Sequence, residues 1–194
     1  MSQTITVING HPDPSPDRLC HALAEAYATG AETAGRQVNR ITVGALTFPL
    51  INSKADFETG NVPPDISAAQ ASIGTSNHLV IVHPLWLGGM PAMLKGFLEQ
   101  VFRPTFAFED TQGAWPTGKL SDMSARVVIT MGMPTLAYRW YYGAHSLKLL
   151  EQHILTFAGI KPVRETLYGM VDTASEAKRA NWLSDQRMLG SKGR

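Results

Sequence analysis

The amino-acid sequence predicts an α/β fold, a parallel sheet with helices on both of its faces. Three observations carry that expectation: short apolar runs of strand length, segments whose apolar residues recur three and four apart, and alternation of the two along the chain. At 194 residues the chain is long enough for one full core and short for two, so it reads as a single domain spanning 1–194.

Ile5, Val7 and Ile8 form the first run, closed by Asn9-Gly10, as suits a strand buried on both faces. Leu19, Ala22, Leu23, Ala26 and Tyr27 then fall on one helix face. Val38, Ile41 and Val43 give a weaker second strand, and Leu79-Val80-Ile81-Val82 a third that is apolar throughout. Between them lies a long connection, 44–77, containing Pro49, Pro63 and Pro64 and one short helix from Asp65. Connections of that length in compact domains usually carry function or are ordered by a neighbour. Pro91 stands where a first helical turn tolerates proline, and Leu94, Phe97, Leu98, Val101 and Phe102 repeat at helical spacing behind it. Further on, 126–131 reads as a fourth strand, 146–158 as a helix ending at Gly159, 161–168 as a fifth strand and 174–188 as a final helix.

Composition removes several function classes. Hydrophobic residues make up 44% of the chain and charged residues 17%, a globular balance that argues against disorder. The 17 basic and 16 acidic side chains leave a formal charge of +1 with no basic run to follow a phosphate backbone, which argues against nucleic acid as a partner. No segment reaches the roughly 18 apolar residues of a membrane span, and the start of the chain does not read as a secretory leader. A lone Cys20 cannot form an internal disulfide, which agrees with a reducing compartment and places the protein in the cytoplasm. Six histidines and one cysteine without paired ligand spacing argue against a metal enzyme.

Ligands of open parallel sheets bind beyond the carboxyl ends of the strands, where strand order reverses. Three loops answer to that position. The first, 9–18, joins a buried strand to a helix, so free N–H groups and the helix dipole favour an anion there, with Ser15 and Arg18 as added donors. It holds neither a dinucleotide fingerprint nor a P-loop, and the plainer alternative is a helix cap by Ser15 or Asp17. The second, 83–91, offers Leu85, Trp86 and Leu87 as a flat apolar surface, while Gly88 and Gly89 let the backbone approach a planar ligand. The alternative is a tight turn with Trp86 filling the core. The third, 130–145, gathers Tyr138, Trp140, Tyr141, Tyr142 and His145, which suits a stacking wall and a proton donor, or else packing between subunits.

The run Pro84-Leu85-Trp86, then Pro91-Ala92-Met93-Leu94-Lys95-Gly96-Phe97 and on to Val101-Phe102, resembles the signature of the NAD(P)H:quinone oxidoreductase family of flavodoxin-2 type. His11-Pro12 with Ser15, Phe48-Pro49, Ala55-Asp56-Phe57, Phe106-Ala107-Phe108, Gly118-Lys119-Leu120 and Thr130 with Gly132 follow in the family's order. The resemblance implies a flavodoxin-like three-layer sandwich with a five-stranded parallel sheet in order 2-1-3-4-5. It further implies bound FMN or FAD, NADPH or NADH as co-substrate, a quinone-like acceptor and a homodimer with each site at the interface. By the same resemblance, His11, Ser15 and Arg18 hold the flavin phosphate. Pro84, Leu85, Trp86, Leu87, Thr130 and Gly132 border the isoalloxazine, and Tyr138 is the active-site tyrosine.

The sequence departs from the family in three places. Leu87 stands where a second aromatic is usual, which widens the expected pocket. Met131 and Met133 replace part of a Thr-Thr-Gly-Gly stretch, removing hydrogen bonds to the ring edge. The family histidine has no in-register counterpart, since Tyr142 and Gly143 occupy its neighbourhood and His145 lies a few residues on. Two rival functions are a regulatory or ancillary subunit of another protein, such as a transporter, with Tyr141-Tyr142 as the contact, and a one-electron carrier, which a charge of +1 does not suit.

Overall fold

In the computed structural model, residues 3–109 and 116–194 are described, and the element order bears out the alternating reading. β1 (Thr4–Asn9), α1 (Leu19–Thr33), β2 (Gln37–Thr42), α2 (Lys54–Thr59), α3 (Pro64–Gly74), β3 (His78–Pro84) and α4 (Ala92–Val101) make the first half. α5 (Pro104–Ala107), β4 (Phe108–Glu109), β5 (Thr117–Gly118), β6 (Ser124–Met131), α6 (His145–Lys148), β7 (Val163–Gly169) and α7 (Glu176–Lys192) make the second. Five strands form one sheet in the order β2-β1-β3-β6-β7, all pairs parallel, while β4 and β5 pair as a small antiparallel ribbon apart from it. Counting only the strands of the main sheet, the order is 2-1-3-4-5.

A sheet covered on both sides needs apolar residues on both faces, and the strands supply them. Ile8, Ile81, Val127 and Ile129 meet Leu94, Phe97 and Leu98 of α4 on one side, and Val7, Val80 and Val128 meet Leu23 and Tyr27 of α1 and Trp182 of α7 on the other. Register carries the strand ends to a common edge: Asn9 lies opposite Val82, Pro84 opposite Thr130 and Met131 opposite Gly169. The three loops singled out in the sequence therefore leave from one rim.

Local differences from the sequence reading have local causes. Val43 leaves the strand for a 3₁₀ turn, Val43–Ala45, in which a Cβ on Gly44 would stand 2.2 Å from Pro12 O, so backbone packs directly on the first loop. The 44–77 connection holds two helices where one was expected. α2 begins because the Ser53 hydroxyl accepts from Asp56 N–H at 3.0 Å, a cap worth about 1 kcal/mol. α1 has neither Ser15 nor Asp17 as its cap; Arg18 occupies that position with an extended backbone and no side-chain capping bond. Pro91 is the N-cap of α4 and precedes its first turn. The predicted helix over 146–158 starts as α6 and widens into a π-helix, Leu149–Leu155, before Gly159 turns the chain at a φ of 98°. α7 runs past 188 to Lys192, where Gly193 ends it in the left-handed conformation. Among the described residues no helix is long and apolar enough to cross a membrane.

Candidate functional site

The first loop is organised by Asp13. Its carboxylate accepts from Ser15 N–H at 2.9 Å and from Arg18 Nε at 2.6 Å, and these bonds, the Ser15 one first, hold the carboxyl below its usual range. The His11 Nδ1 faces the Asp13 backbone, 3.0 Å from its N–H nitrogen and 3.1 Å from its carbonyl oxygen, so the ring closes on the loop in either tautomer. Burial lowers the His11 pKa, with the Asp13 contacts opposing, so the ring is neutral at neutral pH. Arg18 is thus engaged by Asp13 across the loop, and the first-turn N–H groups of α1 face the same space without a side-chain cap. Those donors and the helix dipole make the loop receptive to an anion.

The second loop folds back on itself. Trp86 and Gly89 exchange N–H···O bonds of 2.9 Å across the pair Leu87 and Gly88, whose φ angles are 49° and 77°. This is the turn that favours Asn-Gly, and leucine in its first position is strained. Leu87 is also fully exposed, at 109% of its reference area, and Trp86 at 49% is no core residue; its ring instead meets His11 edge-on at 5.6 Å. Strain held at a rim position points to a task for the side chain. Leu87→Asn is expected to raise stability by about 1 kcal/mol, seen as a melting point higher by about 2–4 °C. An unchanged or lower melting point would show that the leucine is not strained in solution.

The third loop is tied to the second where Leu85 N–H donates to Thr130 O at 2.8 Å. The Thr130 side chain does not enter the rim, because its hydroxyl turns inward to Cys20 Sγ at 3.3 Å under the start of α1. Burial pushes the Cys20 thiol up to about 11, so it stays a thiol. Tyr138 is 1% exposed, and its hydroxyl accepts from Leu147 N–H at 3.0 Å, anchoring the first turn of α6. Burial raises its pKa. His145 is the first residue of α6 and is exposed; Gly143 lies beneath its ring, since a Cβ there would be 2.9 Å from Nε2.

These parts enclose a cleft of about 390 Å³ lined by Leu85, Leu87, Tyr138 and His145 from the predicted set, together with Gly88, Met133 and Tyr142. His11, Ser15 and Arg18 stand on the adjoining loop, and Pro84 ends β3 below it. Tyr142, expected as part of a stacking wall or as a partner contact, lines the cleft, and so does Met133, which the sequence offers only as a departure from the family stretch. His83, expected in the second loop, is wholly buried inside β3.

An open parallel sheet with an anion-receptive loop and an apolar cleft on one rim defines the flavodoxin-like class of α/β proteins. Residues 3–187 match the Flavodoxin_2 family, whose description is a flavodoxin-like fold, and the chain belongs to that family. An uncharacterized NAD(P)H oxidoreductase of Haemophilus influenzae is 29% identical over 177 residues, covering 89% of this chain and 87% of the relative. An FMN-dependent NADH:quinone oxidoreductase of Mycoplasma pneumoniae is 26% identical over 166 residues, covering 80% and 79%. Among solved structures, the NAD(P)H:quinone oxidoreductase from Methanothermobacter marburgensis superposes with a TM-score of 0.80 at 20% identity, covering 98% of both chains. An FMN-dependent NADH-azoreductase of Bacillus anthracis in complex with FMN gives 0.76 at 16%, covering 99% of both.

Proposed function

We propose that this chain is a flavin-dependent NAD(P)H oxidoreductase that reduces quinones or similar flat acceptors, with FMN as the favoured flavin. The observation that carries the reading is the junction of three features on one rim: uncapped α1 N–H groups, the exposed Trp86 ring against His11, and the apolar cleft beside them. They fit a phosphorylated planar group, because the phosphate finds donors at the helix and the ring finds apolar walls. The names of relatives from Haemophilus and Mycoplasma agree with it.

In this reading His11, Ser15 and the α1 N–H groups hold the phosphate, and Arg18 joins them to the extent that Asp13 releases it. Pro84, Leu85, Trp86 and Leu87 border the ring together with the backbone at Thr130 and Gly132. The flavin supplies the hydride chemistry, and the chain positions the reactants and excludes water. Tyr138 fixes α6 through Leu147, and His145 at the cleft delivers the proton to the acceptor oxygen. One cleft of this size serves reductant and acceptor in turn, a ping-pong order. The molecule works as a cytoplasmic homodimer; support for this is the single reduced, buried Cys20 and the exposed Trp140 and Tyr141, which suit an interface.

The test is an anaerobic visible spectrum of the FMN-loaded protein. NADH or NADPH is expected to bleach the flavin and a quinone to restore it, with parallel initial-rate lines when both substrates are varied. A protein that binds neither FMN nor FAD would sink the reading, and intersecting lines would remove the ping-pong order.

A further inference from the structure

The carboxylate of Asp172 lies outside all three loops that the sequence selects, yet the fold brings it against the backbone of Gly132, the neighbour of Met133 in the cleft lining. Beyond Gly169 the chain continues alongside the segment that follows β6. Met170 N–H donates to Met133 O and Val171 N–H to Met131 O, each at 3.2 Å. These bonds hold 170–172 against 131–133, so that a Cβ built on Gly132 would stand 2.9 Å from Asp172 Oδ2. The absence of a side chain at Gly132 is what admits the carboxylate.

Among the described residues Asp172 forms no ion pair, and Arg179, which reaches the same loop, donates to Val171 O at 3.0 Å. The cleft lining contains no Lys or Arg. Asp172 is solvent-exposed in the free chain, but a flat ligand lying along Gly132 displaces water from one side and weakens the screening.

We propose that Asp172 lowers the reduction potential of the bound flavin. The inference rests on the flavin site proposed above. Hydride transfer moves two electrons and one proton from the reduced nicotinamide, which is oxidised, to the flavin, which gains one negative charge at neutral pH. A carboxylate beside Gly132 repels that added charge and leaves the oxidised ring unaffected. The reduced flavin is thereby a stronger donor to a quinone, which takes up the two electrons with two protons to become the hydroquinone. Asp172 acts here through its charge, with no bond made or broken at the side chain.

The experiment compares wild type, Asp172→Asn, Asp172→Glu and, as a control charge further along the chain in α7, Asp185→Asn, all loaded with FMN. Two-electron midpoint potentials are read by anaerobic titration against reference dyes, and FMN dissociation constants by fluorescence quenching. The expected result is an upward shift in Asp172→Asn alone, with Asp172→Glu and Asp185→Asn at the wild-type value and FMN binding no weaker than in wild type. The same variant should be reduced faster by NADH and reoxidised more slowly by a quinone. Coincident potentials in FMN-loaded, NADH-reducible proteins would overturn the role of Asp172 and leave the flavin site standing. Failure of the wild type itself to bind FMN would overturn both.

Discussion

Alanine at Gly190 is expected to lower the melting point by about 2–8 °C. Gly190 of α7 and Gly30 of α1 form a reciprocal contact between helices. A Cβ on Gly190 would stand 2.0 Å from Tyr27 O, and one on Gly30 2.0 Å from Arg187 O. Both obstacles are backbone carbonyls, so no side chain can swing aside and one helix must move. Alanine favours a helix interior over glycine by about 1 kcal/mol. Overpacking that shifts backbone costs about 1–3 kcal/mol and occasionally more, so the net sign is destabilising. The pair distinguishes the mechanism: one displacement of α7 from α1 relieves both clashes, so Gly30→Ala and Gly190→Ala should combine to less than the sum of their separate effects. Gly74, at the end of α3, is the control, since a Cβ there meets only Phe106 at 3.5 Å. An unchanged melting point in Gly190→Ala, or full additivity, would refute the close crossing.

The contact also marks where sequence reading stops. Periodicity places α1 because Leu23 and Tyr27 bury a stripe against the sheet, and that signal is local. Nothing local says that Gly30 meets Gly190, since 160 positions of sequence separate them. The strand runs at Leu79-Val80-Ile81-Val82 and 126–131 were legible for a different reason: strands buried on both faces carry few polar residues to blur the run. β2 and β7, at the sheet edges, carry Asn39, Arg40, Arg164 and Glu165; β2 reads as the weaker strand, and the expected range 161–168 begins two positions ahead of Val163.

The candidate site was legible loop by loop, because glycines, prolines and aromatics mark the rim, but its internal wiring was not. Thr130 turns away to Cys20 by a tertiary approach across 110 positions, while Asp13 engages Arg18 and Tyr138 accepts from Leu147 N–H through the local folding of loops that carry no regular period. Asp172 escaped for a simpler reason. The rule that ligands lie beyond strand ends was applied to β1, β3 and β6, and the end of β7 reaches the same rim.

The strand that carries the second loop also makes the fold acid-sensitive. His78 and His83 lie near the two ends of β3, both with no exposed area. Burial is the main cause that pushes each from 6.5 to about 4, reinforced at His78 by the Arg126 and Arg164 guanidiniums. Among the described residues Nε2 of each ring has no partner, and the single Nδ1 bonds, to Ser124 at His78 and to Pro84 O at His83, offset the burial only in part. Because the folded pKa is the lower one, the unfolded chain binds more protons as pH falls from 6.5 to about 4. The stability held by the two neutral rings is therefore complete above 6.5 and is lost on descending through that window. A tenfold change in proton affinity corresponds to about 1.4 kcal/mol, so each ring contributes on the order of 3 kcal/mol, and the two together rival the usual total stability of about 5–15 kcal/mol. A loss of about 4 kcal/mol by pH 5 is expected, before most carboxylates titrate. Denaturant melts at a series of pH values should give a slope of nearly two protons near pH 5, about 2.7 kcal/mol for each step of one in pH, with His11 adding a smaller part. His78→Gln and His83→Gln should each remove about one proton from that slope, whatever they do to stability at pH 7. A wild-type slope below one proton would mean that the rings are hydrated or paired in solution, and the acid lability would then have to arise from the Asp13 and Glu32 carboxylates, whose folded-state pKa values are also lowered.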